Sequence, residues 1–258
     1  MEHFWLIWLV SVLCALCTIP IQSNVIRQQV QLQAAIYSTN KVPPVSVMVA
    51  IMIIQSCIFL ALATAIGLWL MPSTGLRLWI LDHWVSRAEL PFSIWSFLAV
   101  SIGSGVVVGL LVKWLDRSFF QQHMTTIMGK EPISSRFFGF LSSFYGGVCE
   151  EVLMRLGVMT VVVFLAQKMG WLGSSYWLGI CVAAIVFAVS HLPTNYMTYG
   201  KGNVVTVWTL LLNGILGILF GFLYWQYGLE AAIISHFSAD IVLHVILKNK
   251  TIESRRSK

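Results

Sequence analysis

Apolar residues run through this chain in seven blocks: 4–22, 45–71, 92–114, 137–168, 175–194, 204–226 and 229–248. Short polar stretches separate them. Each block is long enough to cross about 30 Å of hydrocarbon as an α-helix rising about 1.5 Å per residue. The pattern predicts an all-α, polytopic transmembrane helix bundle of about seven spans. The 137–168 block is the exception in length. At about 48 Å as a helix it must tilt, kink or begin along the interface. Between the second and third blocks, 73–90 mixes Arg77, Asp82, Arg87 and Glu89 with Leu and Trp. That mixture predicts an interfacial amphipathic helix, with a short eighth span as the alternative.

The first block, 4–22, is read as a retained span and not a secretory signal. Glu2 and His3 precede it where Lys or Arg would stand, and Pro20 lies near its end. No repeat, heptad pattern or low-complexity tract is visible. The chain divides into 1–91, holding the N-terminal spans and the interfacial helix, 92–248 as the helix bundle with the candidate chemistry, and 249–258 as a basic tail. The polar stretches 23–43 and 115–136 are too short to be separate domains.

Composition agrees with the periodicity. The 258 residues are 58% hydrophobic and 10% charged, against about 45–50% and about 25% in soluble domains. That excludes an ordinary soluble enzyme, and equally a disordered chain. The net charge of +6 is read as topology, not nucleic-acid binding, because no such motif accompanies it. With the C-terminus inside, twelve of the sixteen Lys and Arg fall in inside segments and three outside, with Arg155 within a span. The positive-inside rule then predicts a plasma-membrane protein with its N-terminus out and its C-terminus in the cytoplasm. The tail would also touch anionic lipid. Cys14, Cys17, Cys57, Cys149 and Cys181 all lie in apolar runs and are read as small buried hydrophobes, with no disulfide framework.

A charge at the centre of a membrane helix costs about 2.5–3.5 kcal/mol, so charges within spans point to function. Glu150, Glu151, Arg155 and Asp240 are such charges, and His191 and His236 join them. Glu151 and Arg155 are four residues apart, about 40° around a helix, so Arg155 can neutralise Glu151. Glu150 points about 100° away and is left for another partner. Gly146 and Gly147, one turn earlier, could admit water or a substrate backbone. Phe187 and His191 share a face of the fifth span, and Pro193 predicts that its helix ends near His191. His236 and Asp240 share a face of the last. A carboxylate and an imidazole can together activate water near neutral pH. A second polar pair can stabilise an oxyanion.

These pieces are Glu150-Glu151-Val-Leu-Met-Arg155, Phe187-Ala-Val-Ser-His191 and His236-Phe-Ser-Ala-Asp240. In this order the chain resembles the CPBP family of intramembrane proteases, the Abi or CAAX-protease family that includes the Rce1-type prenyl-protein endoproteases. The resemblance covers roughly 92–248. It implies that Glu150 and His191 activate water, that His236 and Asp240 serve the oxyanion side, and that Glu151, Arg155 and Phe187 support them. It implies an endopeptidase acting on a membrane-associated peptide or protein. Asp240 departs from the Asn usual in Rce1-type enzymes. An ionised Asp can only accept hydrogen bonds, so Asp240 is either protonated or orients His236. The Asp form resembles bacterial members, associated with peptide maturation, bacteriocin immunity and regulatory cleavage.

No cofactor is expected. Zinc or another divalent metal on Glu150, His191, His236 and Asp240 is the rival in mechanism, although His-Glu-x-x-His is absent. The rival class is non-enzymatic: a scaffold or immunity protein, or a proton-coupled transporter, for which no inverted repeat is found. A rhomboid-type serine site lacks Gly-x-Ser-x-Gly, and an aspartyl site lacks a second Asp within a span. Asn213 is expected to bond a neighbouring helix, and Gly214, Gly217 and Gly221 to allow close packing. His3, His83, His123 and His244 are expected to anchor helix ends. Lipid is the expected surroundings, and no oligomeric state follows from the sequence.

Overall fold

Every apolar block becomes helix, and no strand occurs among the described residues. The computed structural model describes residues 2–37, 43–124 and 135–248. The tail 249–258, with Lys41 and Lys130 of the charge count, lies outside the described residues. The helices are α1 (Glu2–Cys17), α2 (Ile19–Tyr37), α3 (Val45–Leu70), α4 (Trp79–Ser86), α5 (Ile94–Leu115), α6 (Arg136–Phe144), α7 (Thr160–Lys168), α8 (Ser175–Ser190), α9 (Leu192–Tyr199), α10 (Asn203–Tyr227) and α11 (Leu229–Asp240). Tyr145–Glu150 and Val152–Met159 are π-helical and join α6 to α7. Ile241–Ile246 continues α11 in the same form.

Among the described residues, five helical segments are long and apolar enough to cross a membrane: Val45–Ser73, Ile94–His123, Ser175–Tyr199, Asn203–Tyr227 and Leu229–Ile246. A sixth counts if His3–Cys17 and Ile19–Val30, bent by 50°, form one span. By length and composition alone this count stops short of the seven or eight expected. The long helix from Arg136 to Lys168 is not among them, because Glu150, Glu151 and Arg155 interrupt its apolar character. The first block breaks at Thr18, two residues before Pro20, whose ring cannot continue a helix from the preceding turn. Residues 23–37 are helical as part of α2, where the polar pattern suggested a connecting stretch. The 73–90 segment contains only the eight-residue α4, about 12 Å long. That is too short to span, which removes the eighth-span alternative.

Glycines set how closely the helices approach, as in other membrane bundles. Gly105 and Gly109 of α5 lie against α11 and its extension, where Ser104 and Ser235 also share a hydroxyl hydrogen bond of 3.1 Å. Gly217 and Gly221 of α10 lie against Ala184 and Ile180 of α8, and Gly67 of α3 against Leu156. Gly214 has nothing near it, and Asn213 donates to Thr209 O of its own helix at 2.8 Å. Both depart from expectation. Cys14 and Cys149 are buried, but Cys17 and Cys181 are exposed on apolar helices, and all five are free thiols.

Large apolar side chains cover the outside of the bundle, and exposed aromatics mark its two ends. Trp69, Trp84, Trp95 and Trp171 lie at one end, and Trp114, Phe119 and Phe137 at the other. On α5, Trp95 and Trp114 are nineteen residues apart, about 28 Å along the axis. That matches a hydrocarbon layer of about 30 Å with aromatic residues at its borders. The chain is an integral membrane protein. At the α4 end, Glu230 Oε1 accepts the Leu81 N–H at 2.9 Å, and Leu229 N–H donates to Arg77 O at 3.2 Å. These bonds dock α4 on the start of α11. The α9 end carries α2, whose Gln29 reaches Met197.

Candidate active site

Three helices bring the ionisable residues to one place, near the α9 end of the bundle. The π-turn Tyr145–Glu150 ends on Glu150, α8 ends one residue before His191, and α11 supplies His236 and Asp240. Pro193 sits at the start of α9, where its missing N–H costs nothing. The α8 helix therefore stops where the Pro193 signal predicts.

Glu150 faces two imidazoles, one with each oxygen. Its Oε1 is 3.9 Å from His191 Nε2, and its Oε2 is 3.9 Å from His236 Nε2. These gaps are too long for direct hydrogen bonds and short enough for one bridging water. The side chains of Glu150 and His191 are 22% and 31% exposed, whereas that of His236 is 4% exposed. The cluster is therefore open on the His191 side and closed behind His236.

The hydrogen bonds fix the ring tautomers. His191 Nδ1 is 2.9 Å from Phe187 O. A carbonyl only accepts, so Nδ1 carries the proton and a neutral ring turns its Nε2 lone pair toward Glu150. His236 Nδ1 is 2.7 Å from Glu151 Oε1 and donates to it by the same reasoning. Ser190 Oγ donates to Phe187 O at 2.7 Å, so its hydroxyl is turned back onto its own helix.

Behind His236 lies a fully buried support. Arg155 Nε is 3.1 Å from Glu151 Oε2, in ion-pair contact but off the line of a hydrogen bond. Arg155 Nη2 donates to Gly217 O at 3.0 Å. The guanidinium lies 5.2 Å from the Phe187 ring centre and 5.5 Å from that of Phe220. Phe220 stacks on the His236 ring at 4.5 Å, and Phe187 stands perpendicular to it at 5.7 Å. Two rings and one ion pair thus hold His236 on three sides.

The expected partner of His236 is not Asp240. Asp240 Oδ1 stands 3.8 Å from His236 Nε2, and also 3.9 Å from His244 Nε2. Glu151 makes the hydrogen bond, because its second oxygen is free of Arg155. Nor do the two glycines open onto space. A Cβ on Gly146 would fall 2.5 Å from Asp240 Oδ2, and one on Gly147 would fall 2.9 Å from Phe237 Cβ. Their missing side chains admit α11, not water.

Two neighbours were missed in the sequence. His244 continues the four-residue spacing of His236 and Asp240, a signal that was available. Phe220 carried no signal, since one more aromatic in an apolar span is unremarkable in itself. His3 and His83 do serve helix ends: His3 pairs with Asp82 at 3.1 Å and His83 with Ala88 O at 2.6 Å. Among the described residues, no group of three or more His, Cys, Asp or Glu side chains is placed to hold a metal ion.

No curated protein and no solved structure matches the chain. A family model described as type II CAAX prenyl endopeptidase Rce1-like matches residues 132–242. That stretch contains Glu150, His191, His236, Asp240 and their supporting residues, and excludes α1 to α5. The three motifs and the matched model agree: residues 132–242 of this chain are similar to the Rce1-like family of CAAX-type proteases.

Proposed function

We propose that this protein is an intramembrane endopeptidase that hydrolyses a peptide bond in a membrane-associated peptide or protein with water activated by Glu150 and His191. The observation that carries this reading is the 3.9 Å gap between the Glu150 carboxylate and the His191 Nε2 lone pair. Two acceptors at that separation suit a water that donates one hydrogen to each. Glu150 takes the water proton as the oxygen attacks the carbonyl carbon, then returns it to the leaving nitrogen. His236, with Nδ1–H held by Glu151, donates from Nε2 to the oxyanion when doubly protonated. Asp240 flanks that nitrogen at 3.8 Å, too far to accept a hydrogen bond from it. No covalent intermediate and no metal is needed.

The Asp240 variant of the motif favours bacterial-type substrates over prenylated ones: peptides in maturation, bacteriocin immunity or regulatory cleavage. With the N-terminus out and the C-terminus in the cytoplasm, the exposed side of His191 faces the cytoplasm.

The test is comparative peptidomics of cells carrying wild type against Glu150→Ala. A product lost in the variant identifies substrate and scissile bond together. A peptide profile and cellular phenotype unchanged by Glu150→Ala would leave the scaffold class. Stoichiometric zinc in the purified protein, with loss of cleavage on chelation, would replace the metal-free mechanism by the metal one.

A further inference from the structure

Two adjoining cavities lie along the seam of α2 and α3, and the outer one is lined wholly by residues outside the stretch matched by the family. The outer one has a volume of about 360 Å³, and Val45, Val49, Ala50 and Ile53 of α3 form its apolar wall. Ile19 closes it on the α2 side, and its rim carries Ser23, Arg27 and Ser46. The inner cavity shares Ile19, Val49 and Ile53 with the outer one and ends on Ser56 and Tyr145. The slot exists because α2 turns 50° away from α1, so it diverges from α3. Ile21 and Ile26 are buried, whereas Arg27 is exposed.

We propose that this slot binds one acyl chain of an anionic phospholipid, whose phosphate is held by Arg27 with the Ser23 and Ser46 hydroxyls. Three observations favour that occupant. The wall residues run from Val45 to Ile53, eight helical steps and so about 12 Å, close to the depth of one leaflet, about 15 Å. Polar groups occur at the rim and not along that wall, which is the order of polarity in a lipid. Arg27 has no acidic partner among the described residues, and guanidinium suits phosphate oxygens. Water would find few partners between these apolar walls. The far side of α2 touches Met197 of α9, so the bound lipid would border the approach to His191.

The test uses the full chain in nanodiscs of phosphatidylcholine and phosphatidylglycerol in equal parts, with retained lipid identified by native mass spectrometry. Wild type is expected to retain phosphatidylglycerol in preference to phosphatidylcholine. Arg27→Gln should lower that preference about fivefold, the change given by one arginine at an anionic surface, and Arg27→Lys should keep most of it. Ala50→Trp, on an exposed part of the wall, should abolish retention of both lipids without altering the unfolding midpoint. Retention in proportion to supply by the wild type would overturn the proposal. So would undiminished phosphatidylglycerol in both Arg27→Gln and Ala50→Trp, or recovery of a lipid-modified peptide in place of phospholipid. Lipid retention is read without any cleavage assay, so it stands or falls apart from the peptidase reading.

Discussion

Removing Arg155 should unfold this protein more readily than any single change elsewhere in the cluster. Its guanidinium is fully buried, 3.1 Å from an equally buried Glu151 carboxylate, and also donates to Gly217 O. Arg155→Leu keeps most of the packing but leaves Glu151 with His236 alone. Loss of one member of a buried pair costs about 3–5 kcal/mol. At about 2–4 °C per kcal/mol for a chain of this size, the midpoint should fall by about 6–20 °C. Unfolding can be followed by the fluorescence of the 11 tryptophans in detergent, for wild type, Arg155→Leu, Glu151→Gln and the double variant. Contacts of Arg155 with Phe187, Phe220 and Gly217 are lost equally in both backgrounds, so the cycle isolates the charge pair. In the Glu151→Gln background the loss should shrink by at least about 1 kcal/mol. Equal losses in the two backgrounds, within about 0.5 kcal/mol, would refute the assignment of the pair as the stabilising element.

Glu150→Gln should abolish peptide product yet change stability by less than about 1 kcal/mol, since this carboxylate is partly exposed and makes no direct hydrogen bond; a large fall in midpoint would contradict it. Glu151→Gln should slow cleavage at least tenfold, with KM little changed, because the ionic hydrogen bond that orients His236 is worth about 1.5–3 kcal/mol; an effect on KM alone would point to substrate binding instead. Gly146→Ala should displace the Asp240 carboxylate and impair cleavage, whereas Gly214→Ala, with nothing within 4 Å, should be neutral or slightly stabilising. Equal loss of activity in the two alanine variants would remove the close approach of Gly146 to Asp240 as the cause.

Much of the architecture could be read from local pattern. Apolar blocks marked the helices, and Pro193 marked the end of α8. The i,i+4 spacing of Glu151 and Arg155 marked an ion pair on one helix face. Such features depend on a few neighbouring residues and on the cost of exposing charge to lipid. The count of spans was less legible. The 137–168 block reads as a span, yet Glu150, Glu151 and Arg155 weaken the apolar character of its helix, and Pro20 marks a break without fixing the size of the 50° bend.

The partners of the buried groups belong to the tertiary structure. Glu151 has two oxygens. A pattern within one helix can assign the first to Arg155, but only the packing of α11 gives the second to His236. Gly146 and Gly147 look like open space along a single helix and are filled by a neighbouring one. Phe220 becomes part of the site only because α10 lies against both His236 and Arg155. By itself the sequence determined which residues must leave the lipid, since that follows from the solvation of each side chain. Which of them meet was decided by glycine-permitted contacts between helices far apart in the chain, and no local periodicity encodes those.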